Sequence, residues 1–290
     1  MSPQGADGRA YRLWKSSYFW RMLSFVLVLG GWELMGRYGP NMAIPSFSAT
    51  ISALYSMLAD GTMPKAYLVT LQPLIVGLTL AAVFGVGFGI TMGLSRTVEW
   101  FTVFVFVTIQ AAPMAAVIPL ITFVYGLGFT AKVAAVFVLA TPGIILNCYQ
   151  GVRNVNVSLI QMSQAFLATR RQQIVKVILP AASNMIIASL RLGLGAAFVG
   201  IILAELLITP TGLGDLITYN QSLGEYAKMY ASIGSLVLIS AISISLLKQV
   251  ENRYAGAKAR KRSRGQPCER IDACEQSTAT VLEERESIVS

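Results

Sequence analysis

The chain has 290 residues, of which 54% are apolar and 13% charged, against about 45–50% and about 25% in an ordinary soluble domain. That shift points to lipid around most of the chain, and the absence of histidine excludes imidazole general-base catalysis and the usual His-containing metal site. The net charge of +9 would put nucleic acid on the table for a soluble protein, but the distribution of the basic residues argues against it.

Residues 1–18 are polar and form an N-terminal tail. Apolar runs near 19–36, 66–94, 100–126, 131–150, 183–208 and 227–248 are long enough to cross a bilayer, which takes ~20 residues for ~30 Å of hydrocarbon. The first is the shortest; with no small-residue cleavage site after Met35, it reads as a retained span and not a removed signal peptide. Between the first two spans, IPSFSATISALYSML keeps Ile51, Leu54, Tyr55 and Leu58 at a helical period, which fits either an interfacial segment or a capped loop helix.

In the second span Gly77, Ala81, Gly85, Gly89 and Gly93 recur every fourth residue. This smooth ridge lets another backbone approach closely where lipid offers no hydrophobic incentive to associate; packing within the chain is favoured over a pore-lining or dimer role. The third span carries Pro113 and Pro119, each removing a backbone donor and kinking the helix. Broken helices at membrane depth are tolerated where they pack in protein or line a cavity, so both prolines are candidates for a translocation path or gate.

The fifth span contains Arg191 and Glu205, about 21 Å apart on one straight helix and unable to pair with each other. A charge inside a span is a functional candidate by default, with snorkelling or capping as the alternative. Cys148, Cys268 and Cys274 form neither a disulfide framework nor a CxxC pair and read as free thiols.

Six spans put both termini on one side. Most of the 23 Lys and Arg fall on that side: Arg9, Arg12, Lys15 and Arg21; Arg96; Arg153, Arg170, Arg171 and Lys176; and the run from Lys248 to Arg285. Arg37, Lys65, Lys132 and Lys228 fall on the other. The positive-inside rule then makes both termini cytoplasmic. The spans occupy 19–253, and 254–290 is a tail: Lys258 to Arg264 is a basic cluster suited to anionic lipid, and Glu269 to Ser290 reads as disordered.

One polar island interrupts the apolar pattern, ATRRQQIVKVILPAAS from Ala168 to Ser183. Ser158 with Gln161, and Thr169 with Gln172, have capping-box spacing. Two short cytoplasmic helices are expected. One runs about 159–168 with Leu159, Met162 and Phe166 on one face; the other sets Arg170, Arg171 and Lys176 opposite Ile174, Val177 and Ile178 and ends or kinks at Pro180. Apolar residues exposed on a polar loop ask for a partner, unless the loop packs on its own spans.

Several absences matter as well. The sequence has no G-x-x-x-x-G-K-[ST] phosphate loop and no relay of acidic residues through its spans, so a transporter built this way takes its energy from a partner. No catalytic constellation is present: there is no acid pair and no thiol beside a base. The rival reading is a self-sufficient channel or ion-coupled secondary carrier, with Arg191 and Glu205 setting selectivity.

The order of features resembles the membrane subunits of ABC importers, and more narrowly the nitrate, sulfonate and taurine permease branch. The motifs are Ile178-Leu179-Pro180-Ala181-Ala182, Arg191-Leu192, Ala204-Glu205-Leu206-Leu207 and Thr211-Gly212-Leu213-Gly214, preceded by IPSFSATISAL, AAPMAAVIPLITFVYGLG and YQGVRNVN, over roughly 20–253. The resemblance implies an all-α, polytopic fold of the type I importer kind, with about six transmembrane helices. It further implies a non-catalytic subunit without cofactor or metal, in the bacterial inner membrane. Its partners would be cytoplasmic ABC ATPase subunits, an extracytoplasmic substrate-binding protein and a second copy of the permease.

The family's EAA signature (Glu-Ala-Ala, three residues, Gly, about a dozen residues, Leu-Pro) would make about 155–182 the ATPase-docking loop. Counting back from Pro180, Glu falls on Gln161, the alanines on Met162 and Ser163, and Gly on Leu167. Phe166 and Arg170 lie within the same surface. Leu167 cannot supply cheaply the positive φ that glycine allows.

Overall fold

The computed structural model describes residues 17–38, 43–208 and 211–263, all helix and connecting turns without strands. Four helices are long and apolar enough to cross a membrane: α3 (Thr62–Leu94), α6 (Phe129–Arg153), α8 (Arg170–Leu207) and the Tyr226–Arg253 stretch of α10 (Tyr226–Ser263). A fifth is added if the bent pair α4 (Arg96–Ala111) and α5 (Met114–Tyr125) is one span. The expected first span is helix α1 (Ser17–Tyr38), which falls outside this apolar set because Arg21, Glu33 and Arg37 lie within it.

The chain divides into two compact units, Met1–Ile244 and Ser245–Ser290. The helix of the second unit runs on to Ser263, past the expected tail boundary at 253, where Ala, Lys and Arg are good helix formers. The rest of the tail, with Cys268 and Cys274, lies outside the described residues, as do residues 1–16.

Helix α6 is the centre of the first unit, flanked by α3 and α8. Gly77, Ala81, Gly85, Gly89 and Gly93 are all buried, and the four glycines face it: an added Cβ would come within 2.7 Å of Val136 at Gly77 and within 2.8 Å of Cys148 at Gly89. The ridge is therefore filled by the chain's own helix and lines no pore here. On the other flank Gly193 meets Ile144 and Gly200 meets Val136. Val136, Ala140, Ile144, Ala197 and Ile201 form the core between them. Close approach at small residues is how helices gain van der Waals contact in lipid.

The third span is broken rather than kinked. Ala112 and Pro113 are extended, and the helices on either side meet at 105°. Pro113 has no N–H to continue α4 and biases Ala112 away from helix. Pro119 stays inside α5, which rests on α6 through Ile118 and Ile121.

The loop helix expected near 44–58 is α2 (Phe47–Ala59), N-capped by Ser46. It buries Thr50, Ala53 and Met57, while Ile51, Tyr55 and Leu58 are exposed, leaving an apolar stripe suited to a membrane interface. Glu33 of α1 holds its start, accepting from the Ser48 N–H and hydroxyl, each at 2.9 Å.

Candidate functional site

The two ends of α8 hold the residues of interest. Near its C-terminal end, Glu205 is 1% exposed and Lys132 of α6 is 3% exposed, with Nζ 2.9 Å from Glu205 Oε1. The other two ammonium protons reach Thr211 Oγ1 at 2.8 Å and the Thr211 carbonyl at 3.2 Å, so all three donors are used. Glu205 also accepts from Thr70 Oγ1 of α3, at 2.9 and 3.0 Å from its two oxygens, and from the Gly214 N–H at 3.0 Å. Thr70 in turn accepts from the Leu213 N–H at 3.0 Å.

This clasp explains the T-G-L-G motif. Gly212 has φ +82°, and a Cβ there would overlap the Glu205 carboxylate and Thr70 Oγ1. A Cβ on Gly214 would overlap Glu205 itself. The loop thus lays its backbone directly on the carboxylate and starts α9 (Leu213–Ser222). A buried ion pair is tolerated only when its remaining donors and acceptors are satisfied, as they are here. Chemically the arrangement fastens three spans and a loop together; it presents no free carboxylate to a solute.

The sequence groups Glu205 with Arg191, Pro113 and Pro119 as candidate path residues, and the structure does not bring these four together. Arg191 is half-buried further down α8, and Pro113 and Pro119 are exposed at the broken span. Lys132, assigned from sequence to the outer side, was missed as a partner. Its helix face was readable, since Lys132, Val136, Ala140, Ile144, Cys148 and Val152 recur every fourth residue, all buried; its pairing across spans was not, although Glu205 is the sole acidic residue between Glu99 and Asp215.

At the N-terminal end of α8 lies the polar island. The first loop helix, α7, spans Val157–Ala165 and starts two residues earlier than expected, because Asn156 and not Ser158 is the N-cap, accepting from the Ser158 N–H at 3.0 Å. The Thr169/Gln172 capping box is present in both directions. The second expected short helix is no separate element: it is the start of α8, which continues through Pro180 into the span. One wide turn over Ile174–Ile178, closed by Leu179 N–H to Ile174 O, relieves the clash that a proline ring makes with the carbonyl four residues back.

Gln173 is buried and donates to Ser163 Oγ at 3.1 Å, pinning α7 to α8. Val152, Val155, Ile178 and Ala182 pack beneath, with Ile160 and Ile174 against them. Ser163, one of the expected docking residues, therefore faces inward. Gln161, Met162, Phe166, Leu167, Arg170 and Pro180 are exposed.

The turn between α7 and α8 is closed by Ala168 N–H to Ser163 O at 3.1 Å and Leu167 N–H to Gln164 O at 2.9 Å. This closure needs a left-handed residue after the last helical turn. Leu167 supplies it, with φ +54°, and is the one non-glycine with positive φ among the described residues. A side chain in that region costs about 1–2 kcal/mol.

Together these features define a polytopic helical membrane protein whose longest apolar helix links a buried clasp to an exposed, strained turn. Residues 81–256 match the binding-protein-dependent transport system inner membrane components, and the chain belongs to that family: it is a permease subunit of an ABC importer. It is 31% identical to a putative ABC transporter permease protein of Methanocaldococcus jannaschii, over 77% of this chain and 86% of that one. It is 24% identical to the putative aliphatic sulfonates transport permease SsuC of Bacillus subtilis, covering 82% and 88%. To the taurine transport permease TauC of Escherichia coli it is 29% identical, covering 64% and 67%. Its fold is similar to that of a chain in the inward-facing MetNI methionine ABC transporter, with TM-score 0.54 and 18% identity over 67% of this chain and 95% of that one.

Proposed function

We propose that two copies of this chain form the path for a small sulfonate-type anion, delivered by an extracytoplasmic binding protein and driven by cytoplasmic ATPase subunits docked on the α7–α8 turn. The observation that carries the docking is a continuous helix, α8, with an exposed apolar and basic turn at one end: Met162, Phe166 and Leu167 beside Arg170 and Arg171. A partner that grips the turn moves α8 as a lever, and the pinning of α7 by Gln173 makes turn and lever one piece. The sulfonate class is supported by the SsuC and TauC relatives. The basic-residue distribution supports a cytoplasmic face for the turn and for both termini.

The test is uptake of labelled taurine and ethanesulfonate into proteoliposomes containing the permease, its ATPase and its binding protein. Met162→Ala, Phe166→Ala and Arg170→Glu should each uncouple ATP hydrolysis from uptake while the permease stays folded in the bilayer. Unchanged uptake in all three would refute the docking role. Uptake by the permease alone, without ATP or partners, would favour a self-sufficient carrier.

A further inference from the structure

Leu167 holds a backbone conformation that glycine or asparagine adopts more readily, and the residue is 91% exposed, with Phe166 at 78% and Met162 at 57%. In the isolated chain nothing favours leucine there: the backbone is strained and the apolar surface meets solvent. A strained residue that persists points to a role outside the local fold.

The length of α8 argues against lipid in that role. From Glu205 back to Arg170, α8 runs roughly 50 Å at ~1.5 Å per residue, whereas a bilayer is ~30 Å of hydrocarbon and ~40–45 Å with headgroups. With Glu205 near one boundary, the Phe166–Leu167 turn projects past the opposite headgroups. The charge of the turn's own segment has one sign. No Asp or Glu occurs between Glu99 and Glu205, and Arg170, Arg171 and Lys176 are all exposed.

We infer that Phe166 and Leu167 form an apolar knob seated in an apolar cup, rimmed by carboxylates, on the ATPase subunit, and that Leu167 makes this permease selective for an ATPase carrying that cup. The inference rests on the docking reading above and adds the chemistry of the partner's surface.

The experiment measures binding of the ATPase subunit that co-purifies with the wild-type permease to nanodisc-embedded variants, alongside each variant's thermal midpoint. Leu167→Gly relieves the strained turn, so its midpoint should hold or rise, while ATPase affinity falls about tenfold, as for an interface anchor. Leu167→Met should keep affinity within about threefold, because it keeps apolar reach. Wild-type affinity in Leu167→Gly overturns the knob but leaves docking intact. Wild-type affinity in Phe166→Ala and Arg170→Glu as well overturns docking itself.

Loss of midpoint and affinity together in Leu167→Gly would mark the leucine as a structural part of the turn, also against the inference. A Leu167→Cys permease with its other cysteines replaced by serine adds a second arm. Protection from a water-soluble maleimide by the ATPase supports the cup; protection by phosphatidylglycerol bilayers alone assigns the turn to lipid and overturns it.

Discussion

At the C-terminal end of α8 every buried side-chain polar group around Glu205 has a partner among the described residues, and even the backbone of the Thr211–Gly214 loop is shaped to the carboxylate. At the N-terminal end of the same helix, hydrogen bonds close the turn, yet its apolar side chains face outward on a strained backbone. The first end is complete within one chain; the second leaves an apolar surface uncovered, which under the docking proposal a partner covers. Charge reads differently in the two places. A carboxylate in a span would ordinarily suggest a path for solute or ion, but this one serves as a fastener, whereas the less conspicuous leucine belongs to the surface proposed for docking.

The largest expected effect separates these two roles. Glu205→Ala leaves the Lys132 ammonium buried without its carboxylate, which costs about 3–5 kcal/mol when a buried pair loses one member. The thermal midpoint in detergent should fall sharply, and the yield of folded protein with it. Combining Lys132→Met with Glu205→Leu removes both charges and should recover much of the loss, but not all, because the Thr70 hydroxyl and the Gly214 N–H would lack their acceptor. A Glu205→Ala protein as stable as wild type and altered only in transport would reverse the comparison and return the carboxylate to the path.

A smaller effect is expected on the ridge of α3. Gly89→Val places two methyl groups where a single Cβ already comes within 2.8 Å of Cys148, and overpacking of this kind costs about 1–3 kcal/mol. Gly87 in the same helix has open space at its Cβ position, so Gly87→Val should leave the midpoint close to wild type. Equal responses at the two positions would mean that α3 and α6 do not pack along this ridge.

Much of this was legible in the sequence because membrane helices leave strong periodic marks. The four-residue spacing of Gly77 to Gly93, the capping box at Thr169 and a disturbance of the helix at Pro113, expected as a kink and found as a break, each follow from local chemistry. Three features were not legible for a physical reason. Lys132 pairs with a carboxylate 73 residues away, and local spacing says nothing about which spans adjoin. Asn156 displaced Ser158 as the cap because both residue types serve well and neither pattern excludes the other. The continuity of α8 through Pro180 depends on one widened turn, a backbone adjustment that no side-chain pattern announces.

The smallest expected effect tests whether the turn and the lever are one body. Thr169 accepts from the Gln172 N–H, and Gln172 returns a bond to the Thr169 N–H, so Thr169→Ala should cost about 1 kcal/mol, the usual loss for an N-cap. The loss should be local: Gln173 still bonds Ser163 and the core beneath is unchanged, so hydrogen exchange should speed several-fold at the amides of 170–173 and stay constant across the Glu205 clasp. Uptake should then decline less than in Phe166→Ala, since a frayed first turn loosens the lever's grip without removing the surface that is gripped. Faster exchange at both ends of α8 together would mean that the helix opens as a single unit, and the division between fastener and handle would not hold.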